Sequence, residues 1–389
     1  MRKLSILAFN WRDVRNPEAG GAEVHLHEIM RRLVSEGHSV TQLASGFAGC
    51  ATDLEVDGVR IMRRGRWYDT NVVLPLAYMR ELRKKRFDVV LEDINKIPFY
   101  TPCFVRAPVL AIVPHLFGTT VFQEASFPFA LYVYSYELFI PMVYRNVRFM
   151  VISESTKRDL TKRGIDARRI DVVECGLDHR LYRDAGVQRD PHLVVYLGRL
   201  RKYKSVHLLI RAMQRVNEKV RGARLVVVGD GPHRGELERL VRDLGLGGSV
   251  EFKGHVSREE KVRLLCSASV TANPSPKEGW GLTVVEANAC GVPVVASRSP
   301  GLVDSVVEGE TGYLVEHGNV EQLADRIVEI LVDTGLRERL SKNALRWAAR
   351  FNWEDCAKRT EVLIERVAGG SGRAGYGNPE PDLRGPRRL

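Results

Sequence analysis

Residues 273–297, NPSPKEGWGLTVVEANACGVPVVAS, read as a loop, a helix and a buried strand. Pro274 and Pro276 break the strand predicted at 270–272, and Gly279 and Gly281 permit tight backbone. The run 282–290 is helix-compatible and closes at Gly291, just before Pro293. Glu278 therefore precedes the helix and Glu286 lies inside it. The amides around Gly281, Leu282 and Thr283 form the open helix N-terminus, where unpaired N–H groups and the helix dipole favour an anion such as a phosphate.

A carboxylate beside an anion site is costly unless something hydrogen-bonds or neutralises it, and sugar hydroxyls are suitable donors. A nucleotide sugar would supply both the anion and the hydroxyls. Charged residues make up 28% of the chain, so either Glu could also be part of a solvated helix face. In its full context, with Trp280 where an aromatic is usual, the stretch resembles the Glu-x7-Glu motif of retaining glycosyltransferases of family 4, which have the GT-B fold. The resemblance runs over residues 1 to about 366. It implies that Glu278 contacts the donor sugar and that Glu286 contacts the nucleotide ribose.

At 389 residues the chain is long enough for two domains, each with its own core. The longest apolar stretch, 126–144, is interrupted by Glu137, so no spanning helix is expected. Residues 4–9 are too short for a secretory segment and read as a first strand. Six scattered cysteines without Cys-x-x-Cys spacing argue against structural zinc and for free thiols in a reducing, cytoplasmic setting. The formal charge of +11 is partly local, at Arg60, Arg63, Arg64 and Arg66, then Arg80 and 83–86, then the C-terminal tail. A basic soluble surface and a surface for anionic lipid headgroups both fit, which would place the protein in the cytoplasm or at the inner membrane face. Nucleic acid is not expected, because no zinc-finger spacing or aromatic-basic stacking pattern accompanies the charge.

The first half alternates apolar runs with amphipathic helices, the pattern of a parallel sheet covered on both faces. Strands are expected at 4–9, 39–43, 59–62, 89–91, 109–113, 149–152 and 170–173, and a helix at 22–35. Gly20 and Gly21, between the first strand and that helix, allow backbone to approach a ligand at the usual crevice of an open α/β sheet. His25 and His27 stand two apart on a helix, on different faces, which weighs against a metal site. His115 follows a strand end closely, and residues 92–95 follow another and could address an acceptor. Residues 122–149 carry many aromatics, readable as a core helix or as an apolar surface for an acceptor or membrane edge.

A second strand-helix series begins at 193–197 and continues at 224–228 and 250–252. Arg199 and Lys204 follow its first strand, five residues apart, so both could reach one diphosphate. Ser205, where Gly commonly follows the Lys, is expected to serve as a helix cap. Gly229 and Gly231 superficially match a dinucleotide fingerprint, but the spacing to Gly235 is wrong and the segment reads as a structural turn.

The resemblance implies an α/β protein with the GT-B fold, two Rossmann-like parallel-sheet domains facing each other across a cleft. Residues 1–175 would form the acceptor-side domain, with helix 352–367 packing back on it, and 190–350 the nucleotide-sugar domain. Residues 369–389 have the Gly and Pro content of a disordered tail. The resemblance also implies donor contacts at Gly20, Gly21, His115, Arg199, Lys204, Gly281, Leu282, Thr283, Glu278 and Glu286. The expected activity is retaining transfer from a nucleoside-diphosphate sugar to a glycan, lipid-linked or small-molecule acceptor, with no further cofactor. No Asp-x-Asp occurs in the chain, so a metal-independent reaction is expected. The alternatives are a nucleotide-sugar epimerase and a non-catalytic nucleotide-sugar or membrane-binding module.

Overall fold

In a computed structural model, which describes residues 2–123 and 126–370, the chain forms two parallel sheets. The first holds β1 (Ser5–Phe9), β2 (Ser39–Ala44), β3 (Asp53–Val56), β4 (Val59–Arg63), β5 (Val89–Asp93), β6 (Val109–Val113), β7 (Arg148–Val151) and β8 (Ile170–Val172). Their order across the sheet is β3-β4-β2-β1-β5-β6-β7-β8. The second holds β9 (Leu193–Leu197), β10 (Arg224–Val228), β11 (Val250–Gly254), β12 (Val270–Asn273), β13 (Val294–Ser297) and β14 (Gly312–Val315), in the order β11-β10-β9-β12-β13-β14. The central strands are near-continuous apolar runs because both of their faces are covered by helices. All five residues of β6 and of β9 are buried.

Among the described residues only β3 runs antiparallel, paired with β4, and the sequence reading has no strand there. The two are joined by Asp57 and Gly58, both with positive φ (49° and 77°), which is the tight hairpin turn that an Asp-Gly pair favours. The other expected strands are found within one or two residues of their expected ends.

Helix α1 (Gly21–Ser35) follows β1 and buries Leu26, Ile29, Met30 and Leu33. The final helix, Trp353–Gly369, is capped by Asn352 and packs on α1, β5 and β6 of the first sheet. His38 bonds Glu361 at 3.0 Å and Arg359 bonds Glu174 at 2.7 Å across that contact. Between β4 and β5 lies α2 (Thr70–Ala77), and between β6 and β7 lies α3 (Phe127–Leu138). A purely core helix over 122–149 is not what forms: α3 buries only Ala130, Val133 and Glu137. Glu137 points inward and accepts from the amides of Phe117 (2.6 Å) and Gly118 (2.8 Å), which leaves the remaining aromatics of α3 partly or fully exposed.

Candidate active site

Lys204 and Glu278 come from elements 74 residues apart and meet at 2.5 Å, each side chain only 15% exposed. Lys204 lies on a short turn after β9, and Glu278 lies in the loop after β12, the neighbour of β9 in the sheet. The loop is fixed by its own backbone. Glu278 donates its N–H to Pro300 O at 3.0 Å, and Ser299 Oγ bonds Ser275 O at 2.7 Å. Gly301 (φ 81°) brings the next turn against Glu278 O, so a Cβ there would collide with it. Burial opposes the charge on Lys204, yet the adjacent Glu278 carboxylate leaves its pKa above the ordinary lysine value. Lys204 therefore stays charged at neutral pH.

Across from it stands His115, two residues past β6 in the first domain. Burial, and then the cations Lys277 and Lys204, push its pKa from 6.5 down to about 4. Neutral imidazole at pH 7 offers one N–H and one lone pair. A Cβ on Gly279 would lie 3.5 Å from His115 Nδ1 and 3.2 Å from Pro114 O, so the Gly279 backbone closes directly on the first domain. Gly281 takes φ 84° and starts the helix Leu282–Ala289, with Val284 N the first amide bonded back to Gly281 O. The amides of Leu282 and Thr283 precede that bond and open the helix N-terminus, next to the Glu278 loop.

Arg199 lies elsewhere on the same rim. Its Nη2 donates to the carbonyls of Glu18 and Ala19, both at 3.2 Å, and stands 2.5 Å from where a Gly20 Cβ would be. Gly20 thus lacks a side chain where a cation of the second domain enters, and Gly21, the first residue of α1, has open space at the same position. Glu286 is not in contact with Glu278. It is buried in its helix and bonded through both oxygens to Lys261 Nζ, at 3.0 and 3.1 Å. Lys261 lies 4.8 Å over the ring of Tyr182, whose phenol is pushed upward by burial and then by Glu286. Lys261 and Tyr182 escape a sequence reading, because one sits on an ordinary polar helix and the other in a connecting segment.

The expectations at Ser205 and Glu92 are corrected. Ser205 is not a side-chain cap: it adopts φ 54°, and its hydroxyl bonds Tyr203 O at 3.1 Å. That is the left-handed conformation for which glycine is suited. Glu92 is a fold residue, accepting from Phe99 N (2.6 Å), Thr101 N (3.1 Å), the Thr101 hydroxyl and Tyr144 OH (2.6 Å). Its neighbours Asp93 and Asn95 do reach the strand-end polar cluster, where Asn95 Nδ2 bonds Asn10 at 3.1 Å and Glu23 at 3.3 Å. Burial, and then the Glu23 charge, push the Asp93 carboxyl well above the ordinary range. Gly229 and Gly231 make room for the carbonyls of Gly198 and Leu200, so the protein's own backbone accounts for both glycines. His25 lies 3.9 Å from Cys356 Sγ while His27 bonds Asp57 at 2.8 Å, so the two histidines serve separate partners. Among the described residues, no group of three or more His, Cys, Asp or Glu side chains could hold a metal ion.

Two parallel α/β domains that meet at a strand-end cleft define the GT-B architecture. The family profile "Glycosyltransferase Family 4" matches residues 19–181, and "Glycosyl transferases group 1" matches 180–347. The chain belongs to the GT-B glycosyltransferase family. It is 32% identical over 237 residues to a D-inositol 3-phosphate glycosyltransferase of Mycobacteroides abscessus, covering 57% of this chain and 49% of that one. To the protein of the same description from Kribbella flavida it is 33% identical over 219 residues, 52% of each chain. The matches span about half the length of these relatives. Among solved structures, sucrose-phosphate synthase from Thermosynechococcus elongatus superposes with a TM-score of 0.80 at 23% identity, covering 95% of this chain and 100% of that one. Anabaena HepE in complex with UDP and glucose superposes with a TM-score of 0.76 at 19% identity, covering 93% and 100%. These two likenesses concern the fold.

Proposed function

We propose that this protein transfers a sugar from a nucleoside-diphosphate sugar, with retention at the anomeric carbon, to a glycan, lipid-linked or small-molecule acceptor. The reading rests above all on the largely enclosed Lys204–Glu278 pair beside the helix that Gly281 starts. In the reaction, Lys204, Arg199 and the amides of Leu282 and Thr283 would meet the diphosphate. Negative charge grows on it as the glycosidic bond breaks, so fixed cations stabilise the transition state more than the bound donor. Lys204 would turn from Glu278 to a phosphate oxygen, leaving the Glu278 carboxylate to accept from sugar hydroxyls. Neutral His115 would hydrogen-bond the sugar from the opposite side. Glu286, with Lys261 as its holder, would accept from the ribose hydroxyls. Neither a divalent ion nor any other cofactor enters this scheme. The protein would work in the cytoplasm or at the inner membrane face.

The test is a panel of uridine, guanosine and adenosine diphosphate sugars, each assayed for hydrolysis and for transfer with and without a chelator. Glycan, lipid-linked and phosphorylated-polyol acceptors belong in it, the last because of the activity named for the relatives above. Sugar transfer that persists with chelator and retains the anomeric configuration is the expected result. Full loss on chelation, restored by magnesium, would overturn the metal-independent scheme, and donor isomerisation without acceptor would point to an epimerase.

A further inference from the structure

Of the large hydrophobic side chains exposed among the described residues, all but Val187 and Val332 fall between residues 67 and 142. They belong to one face of the first domain. The inner sides of α2 (Leu74, Ala77) and α3 (Ala130, Val133) pack into the same core cluster, so both helices cover the same side of the first sheet. Their outer sides are apolar as well, with Val72 62% and Phe127 69% exposed. Rings pack at each helix: Tyr78 against Phe104 at 5.7 Å beside α2, and Tyr136 against Tyr100 at 5.4 Å and Tyr132 at 4.6 Å on α3.

The charges around this face are predominantly positive. Arg80, Arg83, Lys84, Lys85 and Arg86 are exposed directly after α2, and Arg66 just before it. Within residues 70–87 the only carboxylate is Glu81, which Arg64 holds at 2.6 Å, and within 126–147 it is the buried Glu137. Arg63, by contrast, is buried on Asp13 at 2.7 Å, and Arg64 also pairs with Asp53 at 3.1 Å. Of the earlier arginine cluster, Arg63 and Arg64 are therefore committed to carboxylates, whereas the 80–86 cations stand exposed beside the apolar helices.

We propose that the α2 and α3 face docks on an anionic lipid bilayer. Exposed apolar area of this extent marks an interaction site, and aromatic side chains with a polar tip suit an interface that is wet at one end. Anionic headgroups complement the 80–86 cations, each worth about a fivefold gain in partitioning near such a surface. A second copy of the chain fits less well, because a two-fold interface brings the same positive cluster against itself. No helix among the described residues is long and apolar enough to cross a membrane, so the contact is peripheral.

Sedimentation of the full chain with vesicles of phosphatidylcholine, alone or mixed with phosphatidylglycerol, tests this. Binding to the mixed vesicles only, weakening as salt is raised, is expected. Arg83→Gln with Lys84→Gln should weaken it about 30-fold. Leu131→Gln with Leu138→Gln should weaken it about tenfold, while Val332→Gln, on the second domain, leaves it unchanged; all should keep the parent's melting temperature. Equal binding to neutral and anionic vesicles at low salt, or undiminished binding by both double variants, would overturn the proposal. So would a dimer, seen by light scattering, that the leucine variants dissociate. Donor hydrolysis in the absence of vesicles is read separately, so failure here leaves the proposed reaction standing and the converse holds too.

Discussion

Glu92 and Glu278 are carboxylates near the C-terminal ends of sheet strands, the first fully and the second partly buried, and their surroundings differ. Glu92 is ringed by four neutral donors from its own domain, two amides and two hydroxyls, and has no lone pair to offer anything else. Glu278 has one cation, Lys204, which is itself the sort of group a phosphate would draw away. A carboxylate saturated by the protein holds the fold, and one balanced by a single movable charge can exchange that partner for a ligand. Position at a strand end does not separate the two cases, whereas the list of partners does.

The sharpest way to break this contrast is at the cations. Lys204→Ala and Arg199→Ala should each lower turnover roughly 100- to 1,000-fold, the loss of about 3 to 4 kcal/mol of transition-state stabilisation. Glu278→Gln should also impair transfer while free nucleoside diphosphate still binds. Steady-state rates, diphosphate affinity and melting curves on the three variants decide it: near-normal turnover in both cation variants would misplace the leaving group, and a collapsed melting temperature in all three would make the pair structural.

Glu92→Ala should behave in the opposite way. It strands the Phe99 and Thr101 amides in the interior and should cost about 3 kcal/mol of unfolding free energy, with donor hydrolysis by the remaining folded protein near that of the parent. Denaturant titration measures the first, and hydrolysis corrected for folded fraction the second. Unchanged stability would show that Glu92 is not the anchor its hydrogen bonds suggest.

Histidine protonation compares a site residue with a buried one in α1. His115 and His25 are both pushed from 6.5 to about 4, by burial in each case. The folded pKa lies below the unfolded one, so the unfolded state binds more protons between about 4 and 6.5, and stability falls as pH drops through that window. Each should account for about 3 kcal/mol at full protonation. His115→Gln should remove the His115 share of the slope of stability against pH, and an unchanged slope would refute the buried neutral ring. The smallest effect is expected at Ser205→Gly, which should raise stability by about 1 kcal/mol by relieving the left-handed backbone. A lowered melting temperature there would show that the Ser205 hydroxyl contributes more than the strain costs.

Adjacent residues were enough to specify the strand–loop–helix units. Apolar runs such as 193–197 encode a doubly covered strand, and Gly281 followed by a helix-compatible run encodes an open helix N-terminus. Arg199, Lys204, Glu278 and Glu286 stand out because each lies beside such a local signal. The strand that the sequence reading lacks, β3 before the Asp57-Gly58 turn, was equally local, since the dipeptide marks the hairpin. Tertiary structure alone decided the partners. Lys261 reaches Glu286 across 25 residues and Arg199 reaches Glu18 across 181. Whether Glu92 or Glu278 is left with an exchangeable partner, and which side of α3 is turned to solvent, depend on chain segments brought together from far apart. Hydrogen bonds and burial are properties of that juxtaposition, and no window of sequence contains both halves of it.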